Sequence, residues 1–349
     1  MKAVLPVFLS CQGFRLSDEE RCLFEKYNPL GVCLFSKFCT NIENKEQVRL
    51  LVSDIKEAIG RDDVLIAVDQ EGGRVRRMLD PEFTAVTAQQ NITTEELAKQ
   101  HAYLISHDLK SCGINVNFAP VLDIMTAKTS DVLKGRCFEN NVAELGRAMV
   151  DEYIKHGICP CIKHIPGHGK AATDPHLSLP LIEESMEELQ TDFAPFKSLS
   201  DAPMGMAAHI VLRALGDEKA VTVSAKAIKN IIRGEIGFNG FLVSDAIVMK
   251  ALQGSIAEKA RQSINAGCDA ICLGNADFAA NAELCASGIV MSDKAAERLQ
   301  RVLEIIRKDG QFAQYEQIKN KYCANLKNII TYDYNYDATE VLNRLRNNN

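Results

Sequence analysis

Short apolar runs alternate with longer amphipathic segments along most of the chain. Eight of the runs have the length and composition of buried β-strands: they are Ala3–Leu9, Gly31–Phe35, Val64–Val68, Asn115–Pro120, Pro160–Lys163, Met204–Ala208, Gly240–Val243 and Asp269–Leu273. The segments with helical periodicity are Asn44–Gly60, Thr94–Cys112, Val142–Lys155, Glu183–Ser198, Ser224–Glu235, Ile256–Ala266 and Ser292–Lys308. Another helix is expected to start at Ser17, where Glu20 completes a capping box. Such alternation predicts a mostly parallel α/β sheet.

Polar residues stand at the points where several of these strands end. They are Asp69, Lys163 with His164, His209 and Asp245. In a closed barrel the carboxyl ends of all strands meet on one face, where the active site of such a fold lies. In a doubly wound open sheet, which is the alternative, the ends of distant strands could not all meet. The sequence therefore predicts a single (β/α)8 barrel of the TIM type.

The composition is that of an ordinary globular protein. The chain has 349 residues, of which 46% are apolar and 25% charged, with a net charge of −6. We expect residues 1–310 to form the barrel and residues 311–349 to form a partly helical C-terminal extension. Because there is no basic block, nucleic acid and anionic membranes are not expected partners. We expect a monomer that acts on a small-molecule substrate.

The N-terminus and the cysteines bear on localisation. Met1 and Lys2 precede an apolar run, Ala3–Cys11, that mimics a short signal peptide. Pro6 interrupts the run and no small-residue cleavage site follows, so a first barrel strand is the better interpretation, with export or lipid anchoring as the alternative. No run approaches the roughly 20 apolar residues of a membrane span. The twelve cysteines lack paired zinc-finger spacing, which favours a reducing cytoplasm.

A long polar loop follows the apolar run that ends near Lys163. It contains His164, His168 and the tripeptide Asp174-Pro175-His176. A carboxylate two residues from an imidazole can orient the ring and favour its protonated form. A histidine held in this way can act as a general acid and base. The alternative is a structural hydrogen bond within the loop.

Other polar residues suggest a nucleophile and a ligand clamp. Asp245, just after a buried strand, could be a fixed nucleophile or could cap the next helix. Lys163 and His164 could donate hydrogen bonds to substrate hydroxyls. Asp69 is followed by two glycines and by three arginines, and it could accept from hydroxyls while a later arginine donates. Arg136 is either a further donor or a solvated side chain.

Two rival kinds of site use the same region. His164, His168, Asp174 and His176 could bind zinc, but Pro166 and the neighbouring glycines exclude the helix on which an i, i+4 histidine pair would lie. Cys159 or Cys161 could be a thiolate nucleophile. Both cysteines lie inside an apolar run, where cysteine behaves as a small hydrophobic residue.

Taken together, these motifs resemble glycoside hydrolase family 3, and more narrowly its bacterial β-N-acetylhexosaminidases. The stretches that carry the resemblance keep the order they have in that family and lie between about residue 5 and about residue 280. They are Val68–Val75, Phe118–Asp123, Lys163–Gly169 followed by Asp174-Pro175-His176, Ala208–Ile210, and Gly237–Gly240 followed by Ser244-Asp245.

The resemblance implies an activity and a role for each site residue. The expected enzyme is a cytoplasmic, retaining exo-β-N-acetylglucosaminidase of cell-wall recycling that needs no metal and no organic cofactor. It implies that Asp245 is the nucleophile, that His176 is the general acid and base, and that Asp174 orients His176. The residues that it assigns to binding of the N-acetylglucosamine unit are Asp69, Arg77, Arg136, Lys163 and His164.

This sequence departs from the family pattern at three positions. Pro175 replaces a serine between the aspartate and the histidine, which raises the question of how freely that loop moves. Ala246 stands where an acidic residue often follows the nucleophile, and Lys170 stands where aspartate is frequent. None of these changes removes a reacting group. The alternatives are a β-glucosidase or glycoside phosphorylase on the same barrel, and a catalytically silent sugar-binding protein.

Overall fold

The strands close into a barrel, as the alternation predicts. The computed structural model describes residues 3–35, 41–274 and 277–326. Within these residues, eight parallel strands pair in sequence order, and β1 pairs with β8 to complete the circle. The strands are β1 Leu5–Leu9, β2 Pro29–Leu34, β3 Leu65–Val68, β4 Val116–Asn117, β5 Cys159–Ile165, β6 Met204–Ala207, β7 Phe241–Ala246 and β8 Ala270–Cys272. The predicted (β/α)8 fold is confirmed.

Helices follow the strands and surround the barrel. They are α1 Asp18–Tyr27, α2 Lys45–Ile59, α3 Glu95–Ser111, α4 Val142–Lys155, α5 Gln190–Ser198, α6 Ala225–Ala227 with its π-helical continuation Ile228–Glu235, α7 Ile256–Ala266, α8 Phe278–Cys285, α9 Asp293–Ile306 and α10 Tyr315–Leu326. The predicted capping box starts α1: Ser17 Oγ accepts from the Glu20 backbone, and Glu20 accepts from the Ser17 backbone. Two unpaired donors of the helix are satisfied in this way.

Side chains alternate between the inside and the outside of the barrel, as the period of two in a strand requires. The outward residues, such as Ile66 and Val68 of β3, belong to the large cluster between strands and helices. A separate cluster joins inward residues from several strands with the apolar face of α9, which includes Leu299 and Val302. The barrel interior is therefore a packed core, and its polar groups are confined to one end.

Some predicted elements differ from the structure. The segment predicted as a helix over Glu183–Ser198 is helical only from Gln190. Just before this segment, Leu181–Ile182 pairs with Val211–Leu212 in a small parallel ribbon. Of the strand predicted at Asn115–Pro120, only Val116 and Asn117 pair as a strand. The sequence pattern did not predict α8 or locate α10.

The extension after the barrel is described in part. Helix α10 lies within the predicted segment 311–349 and agrees with its expected helical character. Residues 327–349 lie outside the described residues, and the domain boundary at residue 310 stays a prediction. In the ranges that are described, none of the helices combines the length and the apolar character needed to cross a bilayer.

Candidate active site

A cavity opens at the carboxyl ends of the barrel strands. Seven of the eight predicted site residues line it: Asp69, Arg77, Arg136, Lys163, His164, His176 and Asp245. The eighth, Asp174, lies behind His176 and contacts it. Of the residues whose convergence the barrel topology predicts, Asp69, Lys163, His164 and Asp245 therefore lie around one cavity.

Strand alternation aims three of the charged side chains into the cavity. Lys163 continues the inward series of Cys159 and Cys161 along β5. Asp69, directly after β3, and Asp245, the last inward position of β7, continue the inward series of these strands in the same way. The inward positions along these strands are thus apolar inside the barrel and charged at its carboxyl end. Asp245 lies within β7, not beyond the strand as the sequence suggested.

Buried ion pairs join the charged residues on one wall of the cavity. Lys163 Nζ lies 2.8 Å from Asp69 Oδ1 and 2.6 Å from Glu71 Oε1. Arg136 donates two hydrogen bonds to the Glu71 carboxylate, both of 2.8 Å. Arg77 Nη2 lies 3.6 Å from Asp69 Oδ2. We call these five residues the carboxylate–cation wall. Three cations face two carboxylates there, so the wall carries a net positive charge.

Glu71 is the member of the wall that the sequence reasoning left without a role. Its side chain is 1% exposed. Burial alone would raise the pKa of this carboxyl, but the charges of Arg136 and Lys163 outweigh burial and hold the pKa far below its usual range. The neighbouring carboxylates outweigh the burial of Lys163 and raise its pKa. Both groups are therefore charged at neutral pH. The signal for Glu71 was present in the sequence, where it stands two residues after Asp69.

Asp123 holds the start of the long loop. Its carboxylate lies 2.6 Å from His164 Nδ1 and accepts at 2.7 Å from the His168 backbone. Burial would raise the pKa of Asp123, and the pKa is nevertheless lowered because His164 is adjacent. Arg136 Nη2 lies 3.5 Å from the other ring nitrogen of His164. Asp123 was recognised only as part of a motif, because its partner is more than forty residues away.

Asp174 and His176 form the expected carboxylate–imidazole pair. Asp174 Oδ1 lies 2.6 Å from His176 Nδ1 and also accepts at 2.9 Å from the His176 backbone. Both side chains are buried. The intervening Pro175 uses its carbonyl to accept a 3.1 Å bond from the Ala251 backbone, which ties this loop to the segment after β7. The pair is therefore rigidly oriented, and the Nε2 atom of His176 is the ring nitrogen left for chemistry.

Asp245 faces the cavity among histidines. Its burial raises the pKa of the carboxyl, but the charges of His209, His164 and His176 and the backbone of Ala246 lower it below the ordinary value. The Ala246 N–H donates to Asp245 Oδ1 at 2.7 Å and fixes that oxygen. An ionised, immobile carboxylate at the surface of a pocket fits the requirements for a nucleophile. The helix-cap alternative is excluded, because Ser255 caps α7.

Two further histidines lie near Asp245. His209, expected among the converging residues, is buried behind the cavity, where Nε2 donates to the Ala246 carbonyl and Nδ1 lies 2.8 Å from Thr222 Oγ1. His168, which the sequence suggested only as a ligand of the rival zinc site, lines the cavity. Within the described ranges neither of its ring nitrogens has a hydrogen-bond partner. Burial lowers the pKa of His168 to about 4, so the ring is neutral at physiological pH.

Lys170, one of the departures from the family pattern, and the neighbouring Gly169 hold the long loop in place. Lys170 Nζ lies 2.6 Å from Asp192 Oδ2 and donates to the Glu188 carbonyl, which fastens the loop to the start of α5. Gly169 lies against Ile124, whose carbonyl would be only 1.8 Å from an added Cβ. These contacts hold the loop that carries His176 closely against the barrel.

The rival sites lack support in the structure. Cys159 and Cys161 are fully buried inside the barrel, and burial raises the pKa of both thiols. Neither cysteine lines the cavity. Over residues 3–35, 41–274 and 277–326, no three histidine, cysteine or acidic side chains are grouped so that they could hold a metal ion.

The family profile and the curated relatives that match this sequence indicate the same family of enzymes. The profile described as "Glycosyl hydrolase family 3 N terminal domain" matches residues 6–305. A β-hexosaminidase of Bordetella avium is 31% identical over 315 residues, which are 85% of this chain and 88% of that protein. A β-hexosaminidase of Neisseria gonorrhoeae is 36% identical over 288 residues, 77% of this chain and 78% of the relative.

Structure comparison agrees with the sequence comparison. A similar solved structure is that of NagZ from Neisseria gonorrhoeae in complex with N-trifluoroacetyl-D-glucosamine, which is 30% identical with a TM-score of 0.79. The match covers 93% of this chain and 98% of that one. The barrel and its helices are thus shared over nearly the full length of both chains.

Proposed function

The chain belongs to glycosyl hydrolase family 3 and is a glycoside hydrolase, and we propose that it is a retaining exo-β-N-acetylglucosaminidase. One observation carries the proposal: Asp245 and His176 line the same cavity, and His176 Nδ1 lies 2.6 Å from the Asp174 carboxylate. An ionised carboxylate and an oriented imidazole are the two groups that double displacement at a sugar carbon requires.

The first displacement forms a covalent glycosyl-enzyme. Asp245 attacks the anomeric carbon, and the bond from that carbon to the leaving oxygen breaks. His176 Nε2 gives its proton to this oxygen, so the aglycone leaves as a neutral alcohol. Asp174 favours the protonated imidazole through the hydrogen bond at Nδ1. The lowered pKa of Asp245 keeps the nucleophile ionised.

The second displacement returns the enzyme to its starting state. A water molecule loses a proton to His176 Nε2 and attacks the same carbon, and the Asp245 oxygen departs as carboxylate. Two inversions at one carbon give net retention of the β-configuration. Retaining glycosidases of the usual kind employ two carboxylates. In this proposal a histidine oriented by a carboxylate takes the place of one of them.

The carboxylate–cation wall binds the sugar in this proposal. Asp69 accepts from hydroxyls, and Arg77, Arg136, Lys163 and His164 donate. Bonds from charged donors are stronger than neutral ones, and the buried ion pairs hold their direction before the sugar arrives. The names of the relatives and the N-trifluoroacetyl-D-glucosamine in the NagZ crystals support a 2-acylamino sugar as the terminal unit.

We propose muropeptides of cell-wall turnover as the physiological substrates. The disaccharide-peptide would be cut to N-acetylglucosamine and an anhydro-muramyl peptide in the cytoplasm, with water as acceptor and with no metal or organic cofactor. The relatives' β-hexosaminidase names and the NagZ neighbour support this substrate class. The protein would act as a monomer on a small molecule.

The test is hydrolysis of a chromogenic aryl N-acetyl-β-glucosaminide. The wild type should turn it over, and Asp245→Ala should reduce kcat by several orders of magnitude. His176→Ala should lose about 10²–10⁴-fold with a poor leaving group. It should lose much less with an aryl leaving group, which scarcely needs protonation. His107→Ala, which alters a partly exposed histidine on α3, is the matched control and should keep full activity.

Two additional measurements separate the alternatives. NMR of the first product should show the β-anomer of N-acetylglucosamine if the reaction retains configuration. Added phosphate should leave the rate and the product unchanged if water is the acceptor. Inactivity of the wild type on every aryl glycoside, together with tight binding of N-acetylglucosamine, would refute the enzymatic proposal in favour of a binding protein.

A further inference from the structure

We propose that helix α10 positions Glu71 in the cavity through a hydrogen-bond chain that runs from Tyr322 through His101 to the Glu71 carbonyl. This inference rests on the proposed role of the carboxylate–cation wall in sugar binding. It makes Tyr322 and His101 positioning residues, since neither lines the cavity. It also gives the part of the chain beyond the barrel a role in the reaction.

The hydrogen-bond chain crosses three parts of the fold. Tyr322, near the end of α10, is fully buried, and its hydroxyl lies 2.7 Å from Nδ1 of His101 on α3. The other ring nitrogen of His101, Nε2, lies 2.9 Å from the Glu71 carbonyl oxygen. The Thr87 N–H, in the β3–α3 loop, donates to the Tyr322 hydroxyl at 3.0 Å. The hydroxyl is thus held from two sides.

The chemistry of the groups fixes the direction of every bond. A carbonyl oxygen can only accept, so His101 must carry its proton on Nε2. Burial lowers the pKa of His101 to about 4, so the ring is neutral and Nδ1 is a lone-pair acceptor. Tyr322 therefore donates to Nδ1, and its oxygen accepts from the Thr87 backbone. None of these hydrogen bonds can be reversed without leaving a buried donor or acceptor unpaired, which costs free energy of folding.

The hydrogen-bond chain ends at Glu71, which holds the carboxylate–cation wall together. The Glu71 carboxylate forms ion pairs with both Lys163 and Arg136, and the Glu71 backbone carbonyl accepts a hydrogen bond from His101. The contact is close: a Cβ at Gly72 would lie 2.8 Å from His101 Cε1 and 2.1 Å from the Thr87 carbonyl. With φ at +114° as well, position 72 needs glycine. A shift of His101 therefore moves the Glu71 backbone directly.

A second tyrosine of α10 provides a matched control. The Tyr315 hydroxyl lies 2.7 Å from Thr84 Oγ1, so it also joins α10 to the β3–α3 loop. This bond has no connection to His101 or to Glu71. Tyr322→Phe and Tyr315→Phe each remove one hydroxyl from the same helix and one bond to the same loop. A purely structural role for α10 predicts the same kinetic effect for both variants.

The experiment compares steady-state kinetics of the full-length variants on the aryl N-acetyl-β-glucosaminide. Tyr322→Phe should raise KM by about 3- to 10-fold, the amount expected from one weakened hydrogen bond. Its kcat should stay within about twofold, because the wall holds parts of the sugar that do not react. Tyr315→Phe should leave both constants near the wild type. His101→Gln, which can still donate to Glu71, should lose less affinity than His101→Leu.

The outcomes separate this inference from the proposed function. An active wild type with equal KM values in Tyr322→Phe and Tyr315→Phe would overturn the inference and leave the function intact. An inactive wild type would count against the function alone, because titration with N-acetylglucosamine gives the same comparison without turnover. Wild-type affinity of Tyr322→Phe in that titration would also overturn the inference.

Discussion

Replacing Glu71 by glutamine tests the charge balance on which the cavity depends. The native carboxylate accepts hydrogen bonds from Lys163 at 2.6 Å and from Arg136 at 2.8 Å. Glutamine has nearly the same size, but one of its two terminal atoms is a donor. That NH₂ group must face a cationic donor, and the three cations of the wall are then balanced by Asp69 alone.

The magnitude follows from breaking a buried ion pair. Removing one partner of such a pair costs about 3–5 kcal/mol, because the remaining charge is buried without compensation. We expect Glu71→Gln to lose about this much free energy of unfolding. The displaced cations should also weaken sugar binding by roughly 10- to 100-fold, since hydrogen bonds from charged groups contribute about 1.5–3 kcal/mol each.

The assay combines urea denaturation with titration of N-acetylglucosamine, and Asp269→Asn is the control. Asp269 is also buried and accepts from two arginines, at 2.9 Å from Arg233 and 2.7 Å from Arg298. It precedes β8, so it lies at the end of the barrel opposite the cavity. Both variants should lose stability, and only Glu71→Gln should lose sugar affinity.

Two results would refute this reasoning. An unchanged free energy of unfolding in Glu71→Gln would mean that the carboxylate does not compensate the buried cations. Equal losses of sugar affinity in Glu71→Gln and Asp269→Asn would mean that affinity follows global stability and not the local charge balance.

Two more predictions concern pH and packing. His101 and His168 each have a folded pKa of about 4, below the ordinary 6.5, so the unfolded state takes up protons first as pH falls. The free energy of unfolding, measured by urea denaturation, should be highest above pH 6.5 and fall by about 1.4 kcal/mol per pH unit for each histidine down to pH 4; a flat profile would contradict neutral burial. Gly169→Ala, whose Cβ would collide with the Ile124 carbonyl, should lose about 1–3 kcal/mol of stability and reduce kcat; full activity would contradict a tightly held loop.

Much of the site could be predicted because its residues lie in continuous motifs. Asp174 and His176 are two positions apart, and a proline between them leaves few conformations, so their contact is nearly local. Asp69, Lys163 and Asp245 were recognisable because polarity starts abruptly where an apolar run of the sequence ends. The roles given to them remain proposals, while their shared position around one cavity is established by the structure.

Other residues escaped the sequence reasoning because their partners are distant in the chain. Glu71 stands in the Val68–Val75 motif, yet the contact that gives it importance is its ion pair with Arg136, which is 65 residues away. The sequence offered no physical means of choosing among the three arginines after Asp69. In the structure Arg74 donates to the Val132 carbonyl, and of the three arginines only Arg77 lines the cavity. The choice depends on how the loop folds back on itself.

The sequence by itself determined the features that rest on neighbouring residues: the alternation of strands and helices, their caps, the inward and outward faces, and therefore the barrel. The tertiary structure decided which buried charges neutralise one another and, through its hydrogen-bond partners, which nitrogen of His101 carries the proton. It also linked Tyr322 to His101 across 221 residues. The physical reason is that period and capping are local energies, whereas pairing of buried polar groups depends on which segments the closed barrel brings together.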